Sequence, residues 1–262
     1  MKVLVLTKSV PKTDTRVKIA NGQLDESGFA YELNPYDEYA IEAGLRLKDA
    51  RGWEVSLLTL GPDRCEQDIR KGLAMGADDA YLLADERFFG GDARSVSKAL
   101  AAACTHIGFD LILAGKQSID ADQGQVGIRV ATLLGIPHAG IAVGLDVAED
   151  GGSAVCRSEI EGGQEEVAVG LPAVITCQKG LGEPRFASLP GIMKAKRKPL
   201  TRLTPEELGL TPDEIGAAGA GMEVVSYESP PVRGDGQLVE GADAVEQATR
   251  LAQLLRDEAK AI

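Results

Sequence analysis

Short apolar runs alternate with stretches of helical periodicity along the first half of the chain. Val3, Leu4, Val5 and Leu6 form an unbroken apolar run ending near Thr7, which predicts a buried strand over residues 3–7. Residues 35–48 set Tyr36, Ala40, Ala43 and Leu47 on one helical face, and 54–60 reads as a second strand. After Gly61-Pro62 a helical pattern runs to about Met75, then a strand over 79–84, a helix over 95–106 and a strand over 110–114. This alternation predicts an α/β fold with a doubly wound, mostly parallel sheet covered on both faces. From about Ile141 the pattern changes: alternating segments at 154–158 and 165–169 flank Glu161-Gly162-Gly163, a hairpin signal, before a strand over 171–177. After Gly180 the chain reads as an extended arm. It carries two Thr-Pro-x-Glu helix starts at Thr204 and Thr211, a Gly/Pro-rich connector, and a helix over 242–259 with Val245, Ala248, Leu251 and Leu255 in one stripe. Such a stripe packs on its own domain or on another subunit.

Ligands of open parallel sheets bind beyond the carboxyl ends of the strands. Thr7, Leu60 and Gly115 all fall at predicted strand ends, so three loops can meet there. The most informative of them follows the strand at 110–114: Gly115, Lys116, Gln117, Ser118, Ile119 and Asp120, then Ala121, Asp122, Gln123, Gly124, Gln125 and Val126, opening an amphipathic helix. Unpaired N–H groups at a helix start favour an anion near Gly124. The loop lacks the Gly-Lys-Ser/Thr ending of a Walker loop, and Asp120 and Asp122 would repel a triphosphate, so a nucleotide with few phosphates is the easier guest. The plain alternative is a strand-to-helix turn in which Gly and Asp serve turn chemistry alone. Asn34-Pro35-Tyr36-Asp37 is a second helix start, with Asn34 as cap and Pro35 at the first helical position. Capping explains Asn34 by itself; contact with a ligand at the strand-end rim is the functional reading.

The chain has 262 residues, a formal net charge of −12 and 44% hydrophobic residues. That length suits one large α/β domain plus an appendage. The acidic balance argues against nucleic acid as a partner. No apolar run is long enough for membrane insertion. The start MKVLVLTKSV is too briefly apolar for a signal peptide and reads as a first strand. Cys65, Cys104, Cys156 and Cys177 are far apart with no CxxC, and with two histidines they suggest neither a metal site nor a disulfide framework; a reducing cytoplasm fits. His106 lies in a helical pattern and His138 in a turn after Pro137, both better explained structurally than as catalytic bases.

The segment 189–198 gathers four positive charges beside apolar side chains in an otherwise acidic chain. Leu189, Pro190, Ile192 and Met193 accompany Lys194, Lys196, Arg197 and Lys198. One reading is a solvated basic loop; the other is a docking loop for an acidic protein surface, with Leu189 at its tip.

Together, the stretches NPYDEYAIEAGLRLKD, GPDRCEQDIRKGLAMGADDA, DLILAGKQSIDADQGQVG and EIEGGQEEVAVGLPAVITCQKGLGEPRFASLPGIMKAKRK closely resemble, in order and over nearly the whole chain, the beta subunit of electron-transfer flavoproteins. The resemblance implies a heterodimer with an alpha subunit that holds the redox-active FAD near the interface. The beta subunit would then be an electron carrier subunit, not an enzyme in its own right, burying AMP with Leu6, Asn34, Pro35, Tyr36, Asp37, Leu60 and the loop Gly115 to Val126. Tyr36 would pack against the flavin ring. Leu189 would anchor an acyl-CoA dehydrogenase in fatty acid oxidation, with electrons passing on to a quinone oxidoreductase. On this reading residues 1–180 form the nucleotide-binding domain and 181–262 a recognition loop and arm that packs on the partner subunit.

Bifurcating members of the family hold a second FAD in place of AMP, and their loops often read GADTxAT and DGDTxQVG. This chain has GGDARSVS at 90–97 and DADQGQVG at 120–127. Asp92 is kept, but Ala93 and Val96 replace the threonines, each removing a hydrogen bond worth about 0.5–1.5 kcal/mol. AMP is therefore the first expectation and a second FAD the alternative. A reading from another class, an adenine-nucleotide hydrolase or ATP pyrophosphatase on the same kind of sheet, expects Ser-Gly-Gly-x-Asp-Ser after the first strand, where this chain has Thr7-Lys8-Ser9-Val10-Pro11.

Overall fold

The computed structural model describes residues 1–231 and 236–262. β1 (Lys2–Thr7) is followed by β2 (Ser9–Pro11), the two-residue strands β3 (Ile19–Ala20) and β4 (Gln23–Leu24), and β5 (Tyr31–Leu33). Then come α1 (Pro35–Arg51), β6 (Glu54–Leu60), α2 (Glu66–Met75), β7 (Asp79–Leu83), α3 (Ala93–Ile107), β8 (Leu111–Gly115) and α4 (Val126–Leu134). β9 (His138–Val147), β10 (Ser153–Ile160), β11 (Gly163–Gly170) and β12 (Ala173–Cys177) precede α5 (Leu189–Ala195), β13 (Leu200–Arg202) and α6 (Ala244–Asp257).

The main sheet has the order β11-β10-β9-β12-β8-β1-β6-β7-β13. From β9 through β13 neighbouring strands are parallel; only the β9–β10–β11 meander is antiparallel. The central strands are near-continuous apolar runs because both faces are covered. On one face Ile41 and Leu45 of α1 and Ile69 and Leu73 of α2 join Val3, Val5 and Leu57. On the other, Leu100 and Cys104 of α3 and Val130 of α4 join Leu4, Leu58 and Ile112. The sheet is thus the expected mostly parallel, doubly wound kind. All four cysteines are free and buried, and no helix among the described residues is long and apolar enough to cross a membrane.

Three local differences from the sequence reading have physical causes. α3 begins at Ala93, two residues early, because the Asp92 carboxylate accepts from the N–H groups of Arg94 (2.9 Å) and Ser95 (3.1 Å). His138 opens β9 instead of sitting in a turn, paired with Val174 of β12. Both Thr-Pro starts stall: Thr211 and Glu214 form a capping box, yet only a single 3₁₀ turn follows, with Gly216 at φ +55° just after it. Glu207 folds back onto the Thr204 N–H (2.8 Å), and Gly209 at φ +66° closes that turn.

By packing, Met1–Lys18 and Leu24–Val225 form one compact unit, and Ile19–Gln23 with Ser226–Ile262 a second. The expected division at residue 180 falls inside the first unit, because α5 packs on α2 and β13 adds to β7. Within the second unit α6 is capped by Asp243, and none of its residues is buried.

Candidate functional site

β1 leads through α1 to β6 on one side, whereas β8 lies on its other side, so the winding direction reverses between β1 and β8. Such a switch point leaves a crevice beyond the strand ends. A cleft of about 290 Å³ lies there, with Leu6, Leu60, Val96 and Leu100 as apolar wall and the 115–127 loop as rim.

One buried carboxylate ties the crevice together. Asp37, in the first turn of α1, accepts the N–H of Lys8 just past β1 (2.7 Å), the N–H of Gly115 at the end of β8 (3.1 Å) and the Asn34 side-chain amide (2.9 Å). Burial pushes its pKa up to about 7, against the pull of those three donors. Gly115 is required by this contact: a Cβ there would collide with the Asp37 carboxylate and lie 2.7 Å from Tyr36 Cβ.

Asn34 does not act as the expected side-chain cap. Its amide nitrogen donates to Asp37 and to the Gln117 carbonyl (2.9 Å), and its amide oxygen accepts the Ile119 N–H (3.3 Å). The residue pins the 115–127 loop to α1, a role that no spacing pattern announces.

The two loop carboxylates are both engaged by neighbours, and Asp120 is paired with a cation. The Lys8 ammonium reaches both oxygens of Asp120 (2.8 and 2.7 Å); burial works against the Asp120 charge, but this pairing holds its pKa below the usual range. Gln117 donates to Asp122, which adopts φ +53°, and Gly124 follows at φ +61°. The chain then enters α4 with Gln125 making no side-chain cap bond, so the first N–H groups of that helix face the cleft uncapped. At α3, another helix start on the rim, the Asp92 carboxylate fills the same role itself and also accepts the Gly221 N–H (2.8 Å).

Of the sequence-derived candidates, Leu6, Asn34, Asp37, Leu60, Gly115, Lys116, Gln117, Ser118, Ala121, Gln123, Gly124, Gln125 and Val126 line the cleft. Pro35, Tyr36, Ile119, Asp120 and Asp122 stand outside its lining and shape it from behind. Tyr36 carries the Lys116 ammonium 5.0 Å from its ring centroid. His106 and His138 are both away from the cleft.

The first seven residues of the 189–198 segment form a short helix, α5, where a loop was expected. Ser188 accepts the Gly191 N–H (3.1 Å) and Pro190 suits the first turn. Leu189 is 74% exposed and Met193 60%, with Ile192 less so; Phe186, just upstream, is 98% exposed. Lys198 is not a free surface cation, since its ammonium donates to the carbonyls of Leu73 (2.9 Å) and Ala77 around the end of α2.

The profile of the electron transfer flavoprotein domain matches residues 21–208. The electron transfer flavoprotein subunit beta of Bacillus subtilis (strain 168) is 38% identical over the whole of both chains. The caffeyl-CoA reductase-Etf complex subunit CarD of Acetobacterium woodii is 37% identical over 98% of this chain and 99% of its own. The electron transfer flavoprotein subunit beta of Megasphaera elsdenii is 37% identical over 95% and 94%. The chain belongs to the electron transfer flavoprotein family. Within it the chain resembles the beta subunits, and its general role is electron transfer.

In this electron transfer flavoprotein chain, the sequence reading did not place Lys8 or Leu100 on the cleft, and it weighed Gly91, Asp92, Ala93 and Val96 only as a loop that would hold a second FAD; all six line it. Gly90-Gly91-Asp92 lies in the connection from β7 to α3, on the same strand-end side of the sheet as the other rim loops. Nothing in the sequence marked Lys8, because its partner Asp120 is remote along the chain.

Proposed function

We propose that this protein is the beta subunit of a heterodimeric electron transfer flavoprotein that holds AMP as a structural nucleotide. The observation that carries the AMP reading is the asymmetry between the starts of α4 and α3 on the rim. α4 is uncapped and free to receive a phosphate, whereas α3 is closed by Asp92. A start left open at α4 beside one closed at α3 suits a nucleoside monophosphate better than a dinucleotide. Gln125, Val126 and Gly127 would face the phosphate, and Leu6, Leu60, Val96 and Leu100 offer flat apolar surface to the base.

In this reading an alpha subunit binds FAD near Tyr36 and the shared interface, and FAD supplies the electron-accepting and electron-donating chemistry. This chain contributes the exposed apolar residues of α5 to dock an acyl-CoA dehydrogenase, and electrons leave to a quinone oxidoreductase or similar acceptor in the cytoplasm. The chain is a carrier subunit, with no base or nucleophile of its own in the proposed cycle.

A second FAD in the cleft is the competing reading, and the 37% identity to a subunit of a caffeyl-CoA reductase-Etf complex keeps it in view. One measurement separates the two. The heterodimer is denatured and its released nucleotides are separated and quantified. One FAD and one AMP per heterodimer are expected; two FAD without AMP would replace the AMP reading with the bifurcating one.

A further inference from the structure

α5 is only seven residues long, too short to hold a helical conformation alone, yet it presents Leu189, Ile192 and Met193 to solvent. What orders it lies on two other helices. Upstream, Glu42 in the middle of α1 is 5% exposed and accepts from four N–H groups. Three belong to Arg185: Nε (2.8 Å), Nη2 (3.1 Å) and the main chain (3.2 Å); the fourth is Arg46 Nε (3.2 Å). Arg46 also donates to the Leu181 carbonyl (3.2 Å), and Arg185 pairs with Asp49 (2.9 Å). Downstream, Arg70 of α2 donates to the carbonyls of Ala195 (2.8 Å) and Lys198 (2.7 Å) and is itself held by Glu66 (3.0 Å). Between the two clamps Gly191 lies so close to α2 that a Cβ would stand 2.6 Å from the Ala74 carbonyl oxygen.

We infer that Glu42 is a positioning residue for partner docking: through Arg185 it fixes the entry of the chain into α5 and so the direction in which Leu189 points. A bidentate arginine–carboxylate pair fixes direction as well as distance, which a single hydrogen bond does not. A buried carboxylate in the middle of α1 with no part in the nucleotide cleft is otherwise unexplained, since burying it costs stability unless its partners serve a purpose. The inference rests on the docking role given above to Leu189.

The test uses the assembled heterodimer and a purified acyl-CoA dehydrogenase as electron donor. Glu42→Gln keeps the side-chain volume and removes the charge. It is expected to raise the KM for the flavoprotein about tenfold with kcat unchanged, because docking is disturbed and the electron-transfer step is not. Trypsin supplies an independent readout, with cleavage after Lys194, Lys196 and Arg197 expected to accelerate severalfold while other sites keep their rates. A merely structural role would instead lower the melting temperature and speed cleavage throughout. Should Glu42→Gln fail to fold, Arg185→Ala, on a partly exposed side chain, is expected to give the same KM shift and the same local proteolysis. If Leu189→Ala raises KM while Glu42→Gln and Arg185→Ala do not, the positioning role is overturned and the docking role stands. If Leu189→Ala is also silent, the docking reading itself is at fault and the inference falls with it.

Discussion

The cleft rim and the α5 segment solve opposite problems. At the rim, Gly115 of β8 lies so close to Asp37 and Tyr36 of α1, and Gly127 of α4 so close to Thr176 of β12, that a Cβ at either would force a shift, and the side chains that matter are buried acceptors and donors of main-chain hydrogen bonds. On α5 the important side chains face outward, and order is imposed from outside by two arginine clamps. The rim is therefore expected to be a place where small changes destabilise the whole chain, and α5, on the proposed docking role, one where large changes would alter association alone.

The sharpest way to break this contrast is at Asp37. Asp37→Ala strands the N–H groups of Lys8 and Gly115 and the Asn34 amide in a buried site, and is expected to cost about 4 kcal/mol or more in chemical unfolding. A loss under about 1 kcal/mol would mean the rim does not depend on this carboxylate. Asn34→Ala comes next, at about 2 kcal/mol, because it frees the Gln117 carbonyl and the Ile119 N–H. Asn34→Asp should be worse than Ala, since a second carboxylate would face Asp37 at hydrogen-bond distance; a stable Asn34→Asp would refute the assigned geometry.

Leu189→Ala belongs to the other region. Its stability effect should stay within about 0.5 kcal/mol, while loss of a central anchor weakens docking to a dehydrogenase by about 2 kcal/mol, or roughly thirtyfold. An early-melting variant, or one that loses its partner subunit, would place Leu189 in a structural role. Lys194→Gln with Lys196→Gln should give the smallest effect, a slower encounter at low salt that disappears as ionic strength rises, measured by stopped-flow reduction.

Asp37 also separates the regions by pH. Its folded pKa lies near 7 against an ordinary value of 3.8, so between those values the folded chain binds more protons than the unfolded one. Its contribution therefore makes stability fall as pH rises through that window and level off above it. Asp37→Asn, which cannot titrate, should flatten this slope in unfolding experiments at pH 4.5 and 7.5; Leu189→Ala should leave it unchanged.

Periodicity revealed the sheet because its central strands are buried on both faces and their apolar runs are unbroken. It also placed the loops of β1, β6 and β8 at one rim, since parallel strands bring their carboxyl ends to one edge. It could not show that Asn34 binds the 115–127 loop in place of capping α1, or that Lys8 meets Asp120, as both depend on which strands become neighbours across the switch point. The 189–198 segment read as a loop because Pro190 and Gly191 are poor helix formers. Its helix exists through Ser188 and the contact with α2, which are tertiary facts. Lys198 looked like one more surface cation until the end of α2 was seen to take it.

The Asp37 tie has a consequence for how long a guest stays in the cleft. Lys8, just past β1, and Gly115, at the end of the neighbouring β8, share one carboxylate, which would resist spreading of these strand ends around the proposed nucleotide. The easier opening would be in the 116–125 loop, whose outer fastening is the Lys8–Asp120 pair, with side chains 45% and 27% exposed. Residence time of the proposed nucleotide would then follow local opening of a loop more than the strength of the sheet. Amide hydrogens of Lys8 and Gly115 should exchange with solvent in the slowest class and those of 120–125 in a fast one, and added salt should shorten the residence time without speeding exchange at Gly115.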